Sequence, residues 1–243
     1  MTRFFVSPDE LKTDFIVLTG NNAEHARVLR IKTGEQICVC DGQGNACVCT
    51  VSDVSPGQIS AVVMNTLKSD SEPRVKAVVY MAFAKGDKFE HVVQKATELG
   101  AHEIVAFPSA RCVSKPDPKS LTKKAERWQK IAASAAEQSG RSLIPKVIVL
   151  DSFHAAIENA CKADMAILFY ENEHATTLQM ALEKKSFSTI SLLTGPEGGL
   201  EEQEVNYARG NGMEICTLGK RILRCETAPL CALSAVMFAT GEF

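Results

Sequence analysis

The ten residues SLLTGPEGGL (191–200) run from a buried β-type pattern directly into a glycine and proline loop, and Glu201, Glu202 and Glu204 then open a helix. Glycines at 195, 198 and 199 allow the backbone to approach a ligand closely and present its amides, while Pro196 fixes the turn. Carboxylates in the first helical turn suit the positive end of the helix dipole but repel phosphate. The loop therefore points to a ligand held mainly through backbone groups, not to a nucleoside triphosphate. Neither GxGxxG nor GxxxxGK[ST] stands at a strand-to-helix turn, so dinucleotide and P-loop chemistry have no support.

Outward from this loop the same grammar repeats. The runs VKAVVYMAFA (75–84), EIVAFPS (103–109), KVIVLD (146–151), ADMAILFYE (163–171) and EICTLG (214–219) read as short buried strands. Between them lie helical patterns, including DKFEHVVQKATELG and a long one from about Ser120 to Ser139. Strands alternating with helices predict an α/β domain with a mostly parallel sheet, whose ligand sites lie at the carboxyl ends of the strands. After the last strand, LGKRILRCETA (218–228) brings Lys220, Arg221 and Arg224 close to the glycine loop, and Pro229 starts a closing apolar helix. Arg224 is placed to steady a phosphate or an anionic base.

Upstream of about residue 70 the pattern is different. Residues 35–41 and 45–54 flank Asp41-Gly42-Gln43-Gly44 as two arms of a β-hairpin, with further β-type runs at 3–6, 15–18 and 59–67. A short helix from Asn22 to Arg30 is capped by Asn21 or Asn22. This predicts a small barrel-like β domain over 1–70 and an α/β domain over 73–243, joined by the polar, proline-terminated segment 68–73. An aligned hairpin puts Cys38, Cys40, Cys47 and Cys49 on one face, but CxC on adjacent strands lacks zinc-knuckle spacing, and small buried apolar residues account for the pattern without a metal.

Composition narrows the classes further. A chain of 243 residues that is 45% hydrophobic can bury a substantial core. Nine cysteines, an odd number in a chain this long, fit reduced thiols better than a disulfide scaffold. No apolar run is long enough to span a membrane and Met1–Phe5 lacks a signal-peptide pattern, so the expectation is a cytoplasmic protein with no membrane partner. A net charge of -2 excludes a globally basic nucleic-acid binder. One local patch remains: residues 111–130 hold seven basic side chains against two acidic ones.

Taken together, LTGPEGG (193–199) and LGKRILRCETA resemble the paired cofactor loops of the small-subunit ribosomal RNA uridine N3-methyltransferases, the RsmE family of the SPOUT superfamily. The likeness extends through Arg3-Phe4-Phe5, His25 with Val28-Leu29-Arg30, the DGQGN turn, KGDKFEHVVQKATELG (85–100) and ERWQKIAASAAEQSGR (126–141). Departures from the family pattern are Cys112 and Ser114 in RCVSK, and Cys225, where threonine is frequent. The resemblance implies a PUA-like β-barrel domain (1–70) and a SPOUT methyltransferase domain (73–243) with a C-terminal trefoil knot. It also implies S-adenosyl-L-methionine as methyl donor, a homodimer, and 16S rRNA in an assembled or assembling small ribosomal subunit as substrate. Carried over by position, the cofactor pocket uses Glu171, Thr194, Gly195, Glu197, Gly198, Gly199, Leu218, Gly219, Ile222, Leu223, Arg224, Thr227 and Ala228, with Phe169 and Tyr170 in a third wall. Arg3, His25, Arg30, Lys85, Lys88, Arg111, Lys115 and Arg141 are the expected RNA-facing residues.

Methylation at uridine N3 requires loss of a proton that is largely retained at neutral pH. Arg224 is the candidate catalytic residue, stabilising negative charge on the uracil carbonyls, and Glu197 and Glu226 are the nearest carboxylates for a general base. Two alternatives are a knotted methyltransferase acting on a ribose 2'-hydroxyl or another base, and a noncatalytic RNA-binding assembly factor.

Overall fold

The computed structural model of the chain describes residues 1–68, 71–114, 117–184 and 186–243, and the backbone but not the side chain of Lys68. It divides into two compact units, one of residues 1–72 with 136–144 and the other of 73–135 with 145–243. The expected boundary near residue 70 is therefore met by the chain once more, because a return segment at 136–144 joins the first unit.

The first unit holds β1 (Arg3–Phe5), β2 (Phe15–Thr19), α1 (Asn21–Val28), β3 (Gln36–Cys40), β4 (Asn45–Ser55) and β5 (Gln58–Lys68). Its strands lie in the order β1-β3-β4-β5-β2. Every strand contributes to one core: Phe4, Ile16 and Leu18, Ile37 and Val39, Cys47, Cys49 and Val51, Ile59 and Ala61, with Ala26 of α1. A sheet that aims one face of all its strands at a single core must curl around it, which is the PUA-like arrangement expected. Asn22 does not cap α1. Its amide donates to the Phe5 carbonyl at 2.8 Å, and Gly20 occupies the cap position.

The hairpin forms as expected, but its cysteines do not share a face. Cys40 pairs with Ala46 and Cys38 with Val48, whereas Cys47 and Cys49 lie opposite Val39 and Ile37. Directly opposed residues share a face, so Cys47 and Cys49 enter the core while Cys38 and Cys40 lie on the outer face with Ala46, Phe5 and Leu67.

The return segment is held by specific bonds. The Gly42 carbonyl accepts from the Ile144 amide at 3.0 Å, and the Ser142 carbonyl accepts from the Gly44 amide at 3.2 Å. Arg141, expected to face RNA, is instead 3% exposed, and its guanidinium donates to the Glu72 carboxylate at 2.6 and 3.1 Å. A buried, neutralised guanidinium cannot serve as a phosphate contact, so that expectation is corrected. Glu72 also accepts from the amides of Ser142 at 2.9 Å and Leu143 at 3.1 Å.

Burial alone would push the Glu72 carboxyl up. Arg141 and the two amides outweigh burial and pull it below the ordinary value of 4.5. A group depressed on folding adds stability above its unfolded value and loses it as pH falls through the folded one. Glu72→Gln should therefore cost about 2 kcal/mol at neutral pH, the scale of a charged hydrogen bond lost from a largely buried site. Urea denaturation should show the gap between variant and parent closing as pH drops below about 4.5; a gap independent of pH would contradict the assignment.

The second unit holds β6 (Lys76–Ala82), α2 (Lys88–Glu98), β7 (Glu103–Phe107), α3 (Pro118–Ser139, whose last residues belong to the first unit), β8 (Lys146–Val149), α4 (Phe153–Ala160) and β9 (Met165–Phe169). It continues with α5 (Leu178–Leu182), β10 (Thr189–Thr194), α6 (Glu202–Gly210), β11 (Glu214–Cys216) and α7 (Thr227–Ala239). The sheet order is β11-β9-β10-β6-β7-β8, and all five pairings are parallel. β9 and β10 are almost wholly buried, as expected of strands covered on both faces. The chain lays β6, β7 and β8 outward in one direction and then places β9, β10 and β11 on the other side of β6. Such a reversal opens a crevice at the carboxyl ends of the strands. No helix among the described residues is long and apolar enough to cross a membrane.

Candidate cofactor pocket

The loops leaving β9, β10 and β11 enclose a cavity of about 500 Å³. Its first wall is the glycine loop, where the Gly199 amide donates to the Pro196 carbonyl at 3.0 Å and Gly199 has φ +68°. Each glycine is bare for a separate reason. A Cβ at Gly199 would run into the Glu171 carboxylate. One at Gly198 would press on Arg111, 3.2 Å from its Cβ and 3.3 Å from its carbonyl oxygen, and one at Gly195 would lie 3.0 Å from Leu200 Cγ. The loop backbone is thus clamped between Glu171 and Arg111. Thr194 lines the cavity through its backbone, since its buried hydroxyl donates to the Tyr80 carbonyl at 3.3 Å.

The second wall runs from Thr217 to Ala228. The Thr217 hydroxyl accepts from the Gly219 amide at 3.1 Å and turns the chain at Gly219, φ +107°. Leu218, Ile222 and Leu223 give this wall an apolar lining. The Arg224 carbonyl accepts from the amides of Thr227 at 2.9 Å and Ala228 at 3.0 Å, so α7 is tied to the backbone of the arginine. The Arg224 side chain is exposed, and it makes no hydrogen bond or ion pair with the described residues although the residue lines the cavity.

Lys88 forms an ionic floor. Its Nζ lies 3.0 Å from Glu197 and 3.7 Å from Glu226. Burial pushes the Glu197 carboxyl up, but the amide of Lys85 at 2.9 Å, its own amide and Lys88 bring the net value below the ordinary one. Glu226 behaves alike: burial raises it, while its own amide, Cys225, Lys88 and Arg224 lower it further. The Cys225 thiol, desolvated and facing Glu226 and Glu197, is pushed up to about 12 and stays protonated. Both carboxylates are therefore ionised and weak as bases.

Of the expected cofactor residues, Glu171, Thr194, Gly195, Glu197, Gly198, Gly199, Leu218, Gly219, Ile222, Leu223, Arg224 and Ala228 line this one cavity. Thr227 does not; it is exposed in the first turn of α7. Lys88, Pro196, Thr217 and Arg221 also line the cavity. Nothing in the sequence links Lys88 to Glu197 across 109 positions, and Thr217 carried only its place just after a strand.

The expected RNA-facing residues are scattered in circumstance. Lys88 is committed to the pocket floor. Arg111 is bound to the Gly198 carbonyl at 3.3 Å, with Glu201 at 3.9 Å. His25 pairs with Glu137 at 2.8 Å, and Arg3 donates to Cys40 Sγ at 3.6 Å. Lys115 lies outside the described residues. Only the side chains of Arg30 and Lys85 are exposed without a bond to the described residues.

A cavity lined by glycine backbone, apolar side chains, the carboxylates of Glu171 and Glu197 and the cations Lys88, Arg221 and Arg224, at the ends of parallel strands, suits a ligand that joins an aromatic ring to hydroxyl and charged groups. A sequence-family profile described as an RNA methyltransferase domain matches residues 71–237, and one described as an RNA methyltransferase PUA domain matches 18–64. Fold and site thus define an RNA methyltransferase. The Ribosomal RNA small subunit methyltransferase E of Bacillus subtilis is 38% identical over 229 residues, covering 92% of this chain and 90% of its own. That of Mesomycoplasma hyopneumoniae is 33% identical over 96% and 98% respectively. A crystal structure of the Neisseria gonorrhoeae enzyme of the same name, bound to S-adenosyl methionine, superposes with TM-score 0.87 at 30% identity over 98% of both chains. This chain belongs to the ribosomal RNA small subunit methyltransferase E family.

Proposed function

We propose that the protein transfers a methyl group from S-adenosyl-L-methionine to N3 of one uridine in 16S rRNA, acting in the cytoplasm on an assembled or assembling small ribosomal subunit. The observation that carries this reading is that the glycine loop and the LGKRILRCETA loop close one cavity in a chain similar from end to end to small-subunit methyltransferases. The residues present fit the cofactor: Phe169, Leu218, Ile222 and Leu223 offer apolar surface for an adenine ring, the backbone free of side chains at 198 and 199 would let a ligand come close, and Glu171 would accept from hydroxyl or ammonium groups.

When bound, the cofactor supplies an electrophilic methyl on a sulfonium. The chain's part is to hold uracil in line with that methyl and lower the cost of losing the N3 proton. Glu197 and Glu226, held ionised by Lys88, are poorly matched to so weak an acid. Stabilisation of the uracil anion by Arg224, exposed at the mouth and tied by its carbonyl to α7, is the better-supported device. The target base must be unpaired or extruded to expose N3.

Two further elements belong to the reading. α7 buries Leu233, Val236 and Met237 but leaves Phe238 78% exposed, with exposed Cys231 two turns earlier on the same side of the helix, an apolar face suited to a second copy of the chain. The resemblance to the knotted superfamily supports a trefoil knot in the C-terminal segment. The direct test is incubation with methyl-labelled cofactor and either naked 16S rRNA or small subunits from a strain lacking the activity, followed by mapping of the label. One labelled uridine, modified at N3, is expected, with subunits the better substrate. Label on ribose or another base, or none, would overturn the assignment.

A further inference from the structure

No lysine, arginine or histidine stands between Lys32 and Lys68, the stretch that builds β3, β4 and β5, and its charges are Glu35, Asp41 and Asp53 alone. Those strands cannot neutralise phosphate. The strand beside β5 continues the pattern: β2 reads FIVLT, ends the sheet, and has no strand on its far edge among the described residues. Edge strands are ordinarily blunted by charge, proline or a bulge, because an open edge is a template for another chain. β2 carries no charge and no proline. The Val63 amide donates to the Asp14 carbonyl at 3.0 Å, so the backbone groups of Ile16 and Leu18 turn to β5 while those of Phe15, Val17 and Thr19 point to the open edge. The Phe15 carbonyl accepts from the Thr13 hydroxyl at 2.8 Å, which leaves Val17 at the centre of the edge.

The side chains on this part of the sheet agree with the backbone. Ile16 and Leu18 enter the core, and Phe15 and Val17 face away from it. Phe15 is 50% exposed, Val62 directly opposite it on β5 is 40% exposed, and Met64 is 61% exposed. One row further, Val17 lies opposite Ser60 and Ser60 opposite the exposed Asp53. Asp14 before β2 and Glu24 after it are also exposed. The one cation from Phe5 to Glu24 is Lys12, which pairs with Asp9 at 2.9 Å. An exposed apolar strip with an open backbone edge is thus bordered by carboxylates that have no cation of their own chain beside them in sequence.

From this we infer that β2 is a docking edge for an extended, lysine- or arginine-bearing segment of another protein. The segment pairs with the outward backbone of Phe15–Thr19, sets an apolar side chain against Phe15 and Val17, and brings its cations to Asp14, Glu24 and Asp53. RNA is the wrong occupant, since it would meet carboxylates and no cation. A second copy of this chain is wrong for a related reason: it would set the same carboxylates against each other. The inference rests on the proposed small-subunit substrate and names the kind of protein partner met there, because proteins that share a particle with RNA offset its phosphate charge with cationic segments.

Two variants test the edge in the full chain. Phe15→Lys combined with Met64→Lys places cations at exposed positions, and Val17→Pro removes an outward amide at an edge, where proline is tolerated. Each should raise KM for assembled small subunits about tenfold, with kcat, cofactor affinity and the filter-binding affinity for a naked 16S rRNA transcript within about twofold of the parent. The lysine pair should keep the melting temperature within about 2 °C; it carries the test alone if Val17→Pro unfolds the domain. Replacing Phe15 by p-benzoylphenylalanine and irradiating the protein on salt-washed subunits should join position 15 to a subunit protein, within a peptide that carries lysine or arginine. A cross-link to RNA, to a second copy, or to nothing overturns the inference, and so do equal losses on transcript and subunits or an unaltered KM for subunits. A parent protein that yields the expected cross-link but methylates no uridine would instead overturn the proposed function.

Discussion

Gly199→Val is expected to lower the affinity for S-adenosylmethionine by roughly three orders of magnitude while leaving the protein folded. Two effects combine at this position. A β-branched residue at φ +68° is strained on the order of 1–3 kcal/mol. Its Cβ also claims the space of the Glu171 carboxylate, so the loops after β9 and β10 must part and the pocket loses its shape. Titration calorimetry measures the affinity, and thermal unfolding separates it from global damage. Glu171→Ala in the same chain removes the collision but also the cofactor contact proposed for that carboxylate, so the double variant should lose less than the two single variants' losses combined, a non-additivity characteristic of residues in contact. Full affinity in Gly199→Val would mean that the cofactor does not use this loop.

Arg224→Ala is expected to lower kcat by about a hundredfold to a thousandfold, the range for removing one preorganised donor from a developing anion. Cofactor affinity should change by no more than about threefold, because the backbone tie between Arg224 and α7 survives the substitution. The pH profile offers a second readout. Without the guanidinium, uracil gives up its N3 proton only at higher pH, so the variant's rate should keep climbing where the parent's has levelled. Equal losses in kcat and in cofactor affinity would make Arg224 a binding residue only.

The elements legible in the sequence were those governed by local rules. Alternating apolar runs and helical periods placed the parallel sheet, and a glycine-proline loop after the buried strand of residues 189–194 placed one wall of the pocket. What escaped depended on pairing at a distance. Arg141 reads as one more surface cation until Glu72 is found 69 positions away, and Lys88 reads as a phosphate contact until Glu197 and Glu226 take its ammonium. The cysteine hairpin failed on a single residue. If Cys40 had paired with Asn45, all four thiols would have shared a face. Asp41 draws in the amides of Gln43 and Asn45 at 2.7 and 3.1 Å, the turn takes one residue more, and Cys40 pairs with Ala46. A shift of one exchanges the two faces of a strand.

The return of residues 136–144 to the first unit has a consequence during synthesis. A chain released up to Glu72 contains every strand of the β domain, yet the partners of Glu72, His25 and Gly42 lie at Arg141, Glu137 and Ile144. At translation speeds of about 5–20 residues per second, several seconds pass before those partners leave the ribosomal tunnel. The β domain is thus completed only after the start of the catalytic unit has been made, and a fragment cut at the linker would carry an unneutralised carboxylate and an undocked hairpin turn. The last turn of α3 closes a fold whose strands were finished some seventy residues earlier.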